Sequence, residues 1–181
     1  MCHSLLRDTR FFDLLYTLDR DLADQTRTQG CACGGRLHQA HYPRKPRGGP
    51  ADLSPDRERR FSFCCARDGC RCRTTPPSLR FLGRRVYFGV VVVLVTAMAH
   101  GVTARRAAEL HAELGVDRRT LARWQRWWRE HFPASSFWRE HRARFSPPVS
   151  ADGLPGALLD RFAPEGERDG VVSLLRFLAP L

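Results

Sequence analysis

Lysine is almost missing from this chain: of 30 basic residues, Lys45 is the one lysine and the rest are arginine. Long apolar runs are missing too. The main apolar run, VYFGVVVVLVTAMA (86–99), has fourteen residues, short of the roughly 18 or more that a membrane helix needs, so no membrane partner is expected. The opening MCHSLLRDTRFFDLL scatters two acids and two arginines among apolar positions, which is not the charged segment and apolar core of a signal peptide. A reducing, cytoplasmic setting is therefore expected. Nucleophile-elbow, phosphate-loop and dinucleotide glycine motifs do not occur, nor do internal repeats or low-complexity tracts. The acids of the C-terminal part, Asp152, Asp160, Glu165, Glu167 and Asp169, fall on short helical stretches and turns. No strands are there to carry the carboxylate triad of a ribonuclease-H-like nuclease. An enzyme is not expected.

Positive charge and cysteine are plentiful. The net charge is +11 and uneven: residues 31–85 carry +9 and 101–145 carry +5, while 1–30 carry −1 and 146–181 carry −2. A basic middle favours a polyanionic partner. The arginine fork suits phosphates and guanine edges, but a GC-rich genome produces the same bias, so the location of the charge says more than its chemistry. Six of the seven cysteines sit in CACGG (31–35) and FCCARDGCRCR (63–73). In a reducing compartment clustered cysteines point to a metal site ahead of disulfides, and the odd total does not fit a fully paired framework. Cys2 reads as a bystander.

A tetrahedral zinc ion takes four thiolates, commonly two from each of two facing turns. Cys31 and Cys33, with two glycines behind them, make one turn. Alternation through Phe61 and Phe63 places Cys65 on the side of those rings, and Gly69 bends the chain before Cys70. The expected ligands of Zn2+ are therefore Cys31, Cys33, Cys65 and Cys70, with Cys64 and Cys72 as substitutes and His38 and His41 as weaker ones. Buried reduced thiols and a reactive Cys64–Cys65 or C-x-C pair are the competing readings. Between the clusters, RLHQAHY and RFSF alternate as strands do. They flank PRKPRGGPADLSPDRERR (43–60), a loop expected to lie exposed and free to move, whose Arg44, Lys45 and Arg47, followed by Arg57, Arg59 and Arg60, would track phosphates. The pattern resembles a zinc ribbon, although C-x-C and C-x4-C stand where that family usually has two C-x2-C knuckles.

Residues 9–28 place Phe11, Leu14, Leu15, Leu18 and Leu22 at helical spacing, and 86–99 reads as a buried helix. In TARRAAELHAELGVDRRTLARWQRWW (103–128) a helix-turn-helix is expected: Gly115 ends one helix, Val116 plugs the angle and Asp117 caps the next. Leu110, Leu114, Val116, Leu121, Trp124 and Trp128 form one apolar stripe. Arg118, Arg119, Arg123 and Arg126 face outward, and with Thr120 they are the expected DNA-reading set. His111 is expected to be half-buried, and most of the four tryptophans to lie in the core.

The order of cysteine module and helix-turn-helix resembles the DNA-binding front end of bacterial insertion-sequence transposases and the small stand-alone proteins carried with them. RRFSFCC, RTTPPSLRFLGRRVY and TLARWQRWW carry the resemblance, over roughly residues 30–145. It implies binding of double-stranded DNA at element ends or a regulatory site, with a transposase or other protein supplying any strand chemistry. An adaptor that binds a transposase or polymerase subunit, or RNA binding, are the rival functions. The expected fold is α+β, mostly α: an N-terminal helix (1–30), a zinc-ribbon-like module (31–80), a three-helix bundle (84–145) and a helical tail (146–181).

Overall fold

A computed structural model describes residues 3–98 and 103–181; Cys2 and Ala99 lie outside them. The fold is α+β and mostly helical. A short α1 (His3–Arg7) leads into α2 (Thr9–Gln29), whose start is capped by the Asp8 carboxylate accepting from Arg10 N–H at 2.9 Å. The expected apolar stripe of α2 is rotated in the folded protein. Its innermost positions are Phe11, Phe12, Leu15, Asp19 and Ala23, a run at four-residue spacing plus one neighbour, while Leu14, Leu18 and Leu22 are half-buried. An acid thus occupies a core position.

Asp19 is fully buried and fully used. Its carboxylate accepts from Ser78 Oγ at 2.5 Å, Leu79 N at 2.6 Å and Arg80 Nε at 2.8 Å. Arg80, also without exposure, donates onward to the carbonyls of Arg57 and Arg59. Its guanidinium lies among the Tyr16, Phe61 and Phe81 rings, 4.8–5.2 Å from their centroids. One ion pair therefore ties α2 to the 78–80 segment and to the cysteine module.

That module holds two small sheets. In one, β1 (Leu37–Gln39) and β5 (Arg73–Thr74) flank β4 (Phe63–Cys65), all antiparallel. In the other, β2 (Tyr42–Pro43) pairs with β3 (Arg59–Arg60). The register sets Leu37 opposite Cys65 and His38 opposite Cys64, so Phe63 and Cys65 turn inward with Leu37, Phe61, Cys31 and Ala23 of α2. The 43–60 loop is not free along its length. Arg47 N–H donates to Val86 O at 2.9 Å and Phe88 N–H returns to Arg47 O at 3.2 Å. At Gly49 a Cβ would sit 2.6 Å from Phe88 Cε2, so only glycine allows this approach.

The expected 86–99 helix begins later, as α3 (Gly89–Ala97), because residues 86–88 bridge to the loop and to Phe81. Residues Val90–Val95 are all fully buried, which is why a β-branched run stays helical: core burial on every side overrides local propensity. Around it pack α4 (Ala104–Leu114), α5 (Arg118–Arg126) and its continuation through a π-turn to His131. They are joined by α6 (Ser136–His141), α7 (Gly156–Phe162) and α8 (Glu167–Leu178). The C-terminal part is no appendage, since Leu158, Val171, Leu174, Leu175 and Leu178 lie in the same core as α3. The whole expected stripe from Leu110 to Trp128 is buried, as is Trp138, whereas His111 is exposed.

Gly115 ends α4 with φ +64°, and Asp117 caps α5 by accepting from Thr120 N–H at 2.6 Å. Tyr87, from the segment before α3, donates its hydroxyl to Gly115 O at 2.6 Å and sets its ring edge-on to Trp124. The turn is therefore held from outside as well as from within.

Removing one partner of the buried pair should cost far more than removing both. Asp19→Ala is expected to destabilise by about 3–5 kcal/mol, and the Asp19→Leu/Arg80→Met double change by much less. Urea midpoints of the two proteins check this.

Candidate functional site

Four sulfurs converge. Cys31 Sγ lies 3.8 Å from Cys70 Sγ and Cys33 Sγ 3.5 Å from Cys65 Sγ, and all four are within 4.8 Å of one another. A tetrahedron with metal–sulfur bonds of about 2.3 Å has edges of about 3.8 Å, so the thiols are already spaced for a metal. The local backbone is shaped around them. Gly34 and Gly69 take left-handed conformations at the two turns, with φ +79° and +82°. At Gly35 the constraint is space, because a Cβ would fall 2.6 Å from Cys65 Sγ and 3.3 Å from Cys33 Sγ. Arg67 N–H points to Cys65 Sγ at 3.4 Å.

These donors divide the thiols. The Gly35 N–H, and then the Cys70, Cys65 and Cys31 thiols, lower Cys33 to about 6. Arg67 N–H pulls Cys65 down, but burial and the three neighbouring thiols push it up to about 12. Cys33 and Cys65, 3.5 Å apart, are thus pushed in opposite directions by one cluster. A cation would replace the thiol protons, and with four protein ligands and no open position it would hold structure rather than do chemistry.

The substitutes lie elsewhere. Cys64 faces away and donates to Arg71 O at 3.5 Å, and Cys72 is exposed. His41 pairs with the backbone of Ser62 and packs on Phe61 and Phe63, and His38 is exposed on β1. Strand parity selects Cys65 over Cys64, and that signal was present in the sequence.

A second feature lies where the cysteine module meets α5. Arg47, Arg84, Arg85, Arg123, Arg126 and His131 line a groove of about 640 Å³, and no acidic side chain lines it among the described residues. The pinned loop backbone puts Arg47 there, and the exposed face of α5 supplies Arg123 and Arg126. Arg118 and Arg119 are exposed at the first turn of α5, outside the groove.

Two expected members behave differently. Thr120 is 6 % exposed and contributes to the base of the groove, its hydroxyl accepting from Arg123 Nη2 at 3.3 Å. Arg44 is half-buried and donates to Arg85 O at 2.9 Å, lining another cavity. Lys45 is exposed, on a left-handed backbone of φ +49°. The sequence reading missed Arg84 and Arg85. Arg85 stacks 3.7 Å above the centroid of Trp127, and burial lowers its pKa to about 10, so it stays cationic at neutral pH. Their signal was the arginine pair in GRRVY (83–87), just ahead of Tyr87.

The chain matches no family model, no curated protein and no solved structure. Among the described residues no helix is long and apolar enough to cross a membrane.

The purified protein is expected to carry one tetrahedral metal ion per chain, measured by elemental analysis. Cys65→Ser and Gly35→Ala should lose it, whereas Cys64→Ser and Cys72→Ser should keep it. Because protons compete for thiolates, the metal should be held at neutral pH and released as the pH falls into the acid range. A chromogenic chelator follows the release.

Proposed function

We propose that the chain is a zinc-stabilised DNA-binding protein, built from a zinc-ribbon-like module and a helix-turn-helix, in which the ion is Zn2+ held by Cys31, Cys33, Cys65 and Cys70. The observation that carries this reading is the arginine groove, to which three separate sequence segments, around Arg47, around Arg84 and Arg85, and from Arg123 to His131, contribute side chains of one charge. Five guanidiniums and a histidine without a facing acid suit a phosphate backbone. Alongside it, Arg118 and Arg119 occupy the first turn of a capped second helix, the part such motifs bring to base edges. Arg85 on Trp127 presents a stiffened cation between the two.

In this reading Arg118, Arg119, Arg123 and Arg126 read bases and adjacent phosphates, while Arg47, Arg84 and Arg85 hold the backbone. Thr120 supports Arg123 from beneath. The resemblance to insertion-sequence proteins adds the biological setting: binding of element ends or of a regulatory site, in the cytoplasm, with another protein of the element supplying any strand chemistry. The rival adaptor reading, in which the cysteine module and the tryptophan-rich bundle bind a transposase or polymerase subunit, predicts no duplex shift at low salt and a co-purifying protein partner.

Duplex affinity should fall steeply with salt, with a log–log slope of about −0.9 per phosphate neutralised. On a site selected from a random DNA pool, Arg123→Ala should lose on the order of 1–3 kcal/mol, with random DNA little affected. Arg47→Ala should weaken both alike and lower the slope by about one unit. Fluorescence anisotropy over a salt series measures all three. Equal losses on both DNAs for Arg123→Ala would remove its reading role, and preference for structured RNA in competition would move the reading to RNA.

A further inference from the structure

Three charged side chains are buried among the described residues: Asp19, Arg60 and Arg80. Asp19 is taken by Arg80 at 2.8 Å. Arg60, 8 % exposed, has no carboxylate within ion-pair reach. Its Nη2 donates to Pro76 O at 2.6 Å, and its Nη1 is buried without a hydrogen-bond partner. Burial weakens its protonation, and Asp19 supports it while Arg44 and Arg80 oppose it. An arginine does not escape by giving up its proton, so the interior carries one positive charge more than it neutralises. Buried unpaired charge is costly, and the usual remedy is a partner.

Arg60 borders a cavity of about 510 Å³, distinct from the groove, between the β2–β3 ladder, residues 75–77 and the last residues of the chain. Arg44 and Arg84 line the same cavity, as do the hydroxyl-bearing Tyr42 and Thr75, and no acidic side chain does. The Arg44 and Arg60 guanidiniums both lie over the Phe81 ring, 5.2 and 5.7 Å from its centroid. Both residues also line this cavity, and a single guanidinium fork can give an oxyanion two parallel N–H···O bonds.

We propose that this cavity is a phosphate-binding site, in which Arg60, Arg44 and Arg84 take the phosphate group of a nucleotide. A carboxylate carries a single charge that one fork satisfies, whereas a phosphate monoester carries nearly two and three strong acceptor oxygens. The cavity is larger than a lone oxyanion, and Phe81, Pro76 and Pro77 give it apolar wall for an attached nucleoside. Two sources share this chemistry: a free nucleotide, and a phosphate of a DNA strand. Arg84 lines both the cavity and the groove. The site does not depend on the duplex-binding reading.

Calorimetric titration of the full-length, metal-loaded protein with inorganic phosphate, dAMP and deoxyadenosine, in chloride-free buffer of low ionic strength, tests it. Phosphate and dAMP should bind saturably at one per chain, dAMP more tightly, and deoxyadenosine should give no heat. Arg84→Ala, which changes an exposed side chain, and Arg44→Gln should each weaken dAMP at least tenfold. Arg60→Met should abolish binding, and dAMP should raise the melting temperature of the parent but not of this variant. Absence of saturable binding by both phosphate and dAMP overturns the site, as does unchanged affinity in Arg84→Ala and Arg44→Gln. Displacement of dAMP by a 5′-phosphorylated duplex but not its 5′-hydroxyl twin upholds the site with a strand end as its source. Displacement by both duplexes assigns internal phosphates, and by neither a free nucleotide. An Arg118→Ala/Arg119→Ala protein should lose duplex affinity yet keep dAMP, so the two proposals fail separately.

Discussion

The buried pair of Asp19 and Arg80 is the contact on which the arrangement of this molecule turns. Taking a carboxylate and a guanidinium out of water is unfavourable, and only a nearly complete set of hydrogen bonds offsets it. Here Asp19 receives three donors and Arg80 reaches two backbone carbonyls in addition to the carboxylate. Such a network is satisfied in one geometry. Apolar packing alone would let the cysteine module slide on α2; the network specifies a single seat.

That seat decides what lies beside what. With Arg80 held, its carbonyl accepts from Gly89 N–H at 2.7 Å and sets the start of α3. The chain between them then carries Arg84 and Arg85 past the end of α5, and the Arg47–Gly49 backbone is laid against Tyr87 and Phe88. A groove with arginines from the loop, from this connection and from α5 is the outcome. The four thiols act at the other end of the same module, where they close two turns that contain almost no apolar core of their own.

The distribution of buried charge separates the three interior ions by role. Arg80 is structural, since every direction around it is occupied by protein. Arg60 is close to it in burial but lacks a counter-charge and borders a cavity. Proteins rarely keep a guanidinium in that condition without something to meet it.

What the sequence determined by itself was local. The helical spacing in α2, α4 and α5, the glycine at 115, the cap at 117 and the strand parity that chooses Cys65 over Cys64 depend on residues within a few positions of one another, and 3.6- and 2-residue periodicities report them directly. The tertiary structure alone decided which face of α2 goes inward, because an acid is admitted at position 19 only when Ser78, Leu79 and Arg80 arrive from some sixty residues away. It also half-buried Arg44 and buried Thr120, pinned the glycine-rich loop, brought Arg84 and Arg85 to Trp127 and placed α8 in the core. In each case the burial of a polar or flexible segment depends on a partner distant in sequence, and no periodicity along one segment can record it.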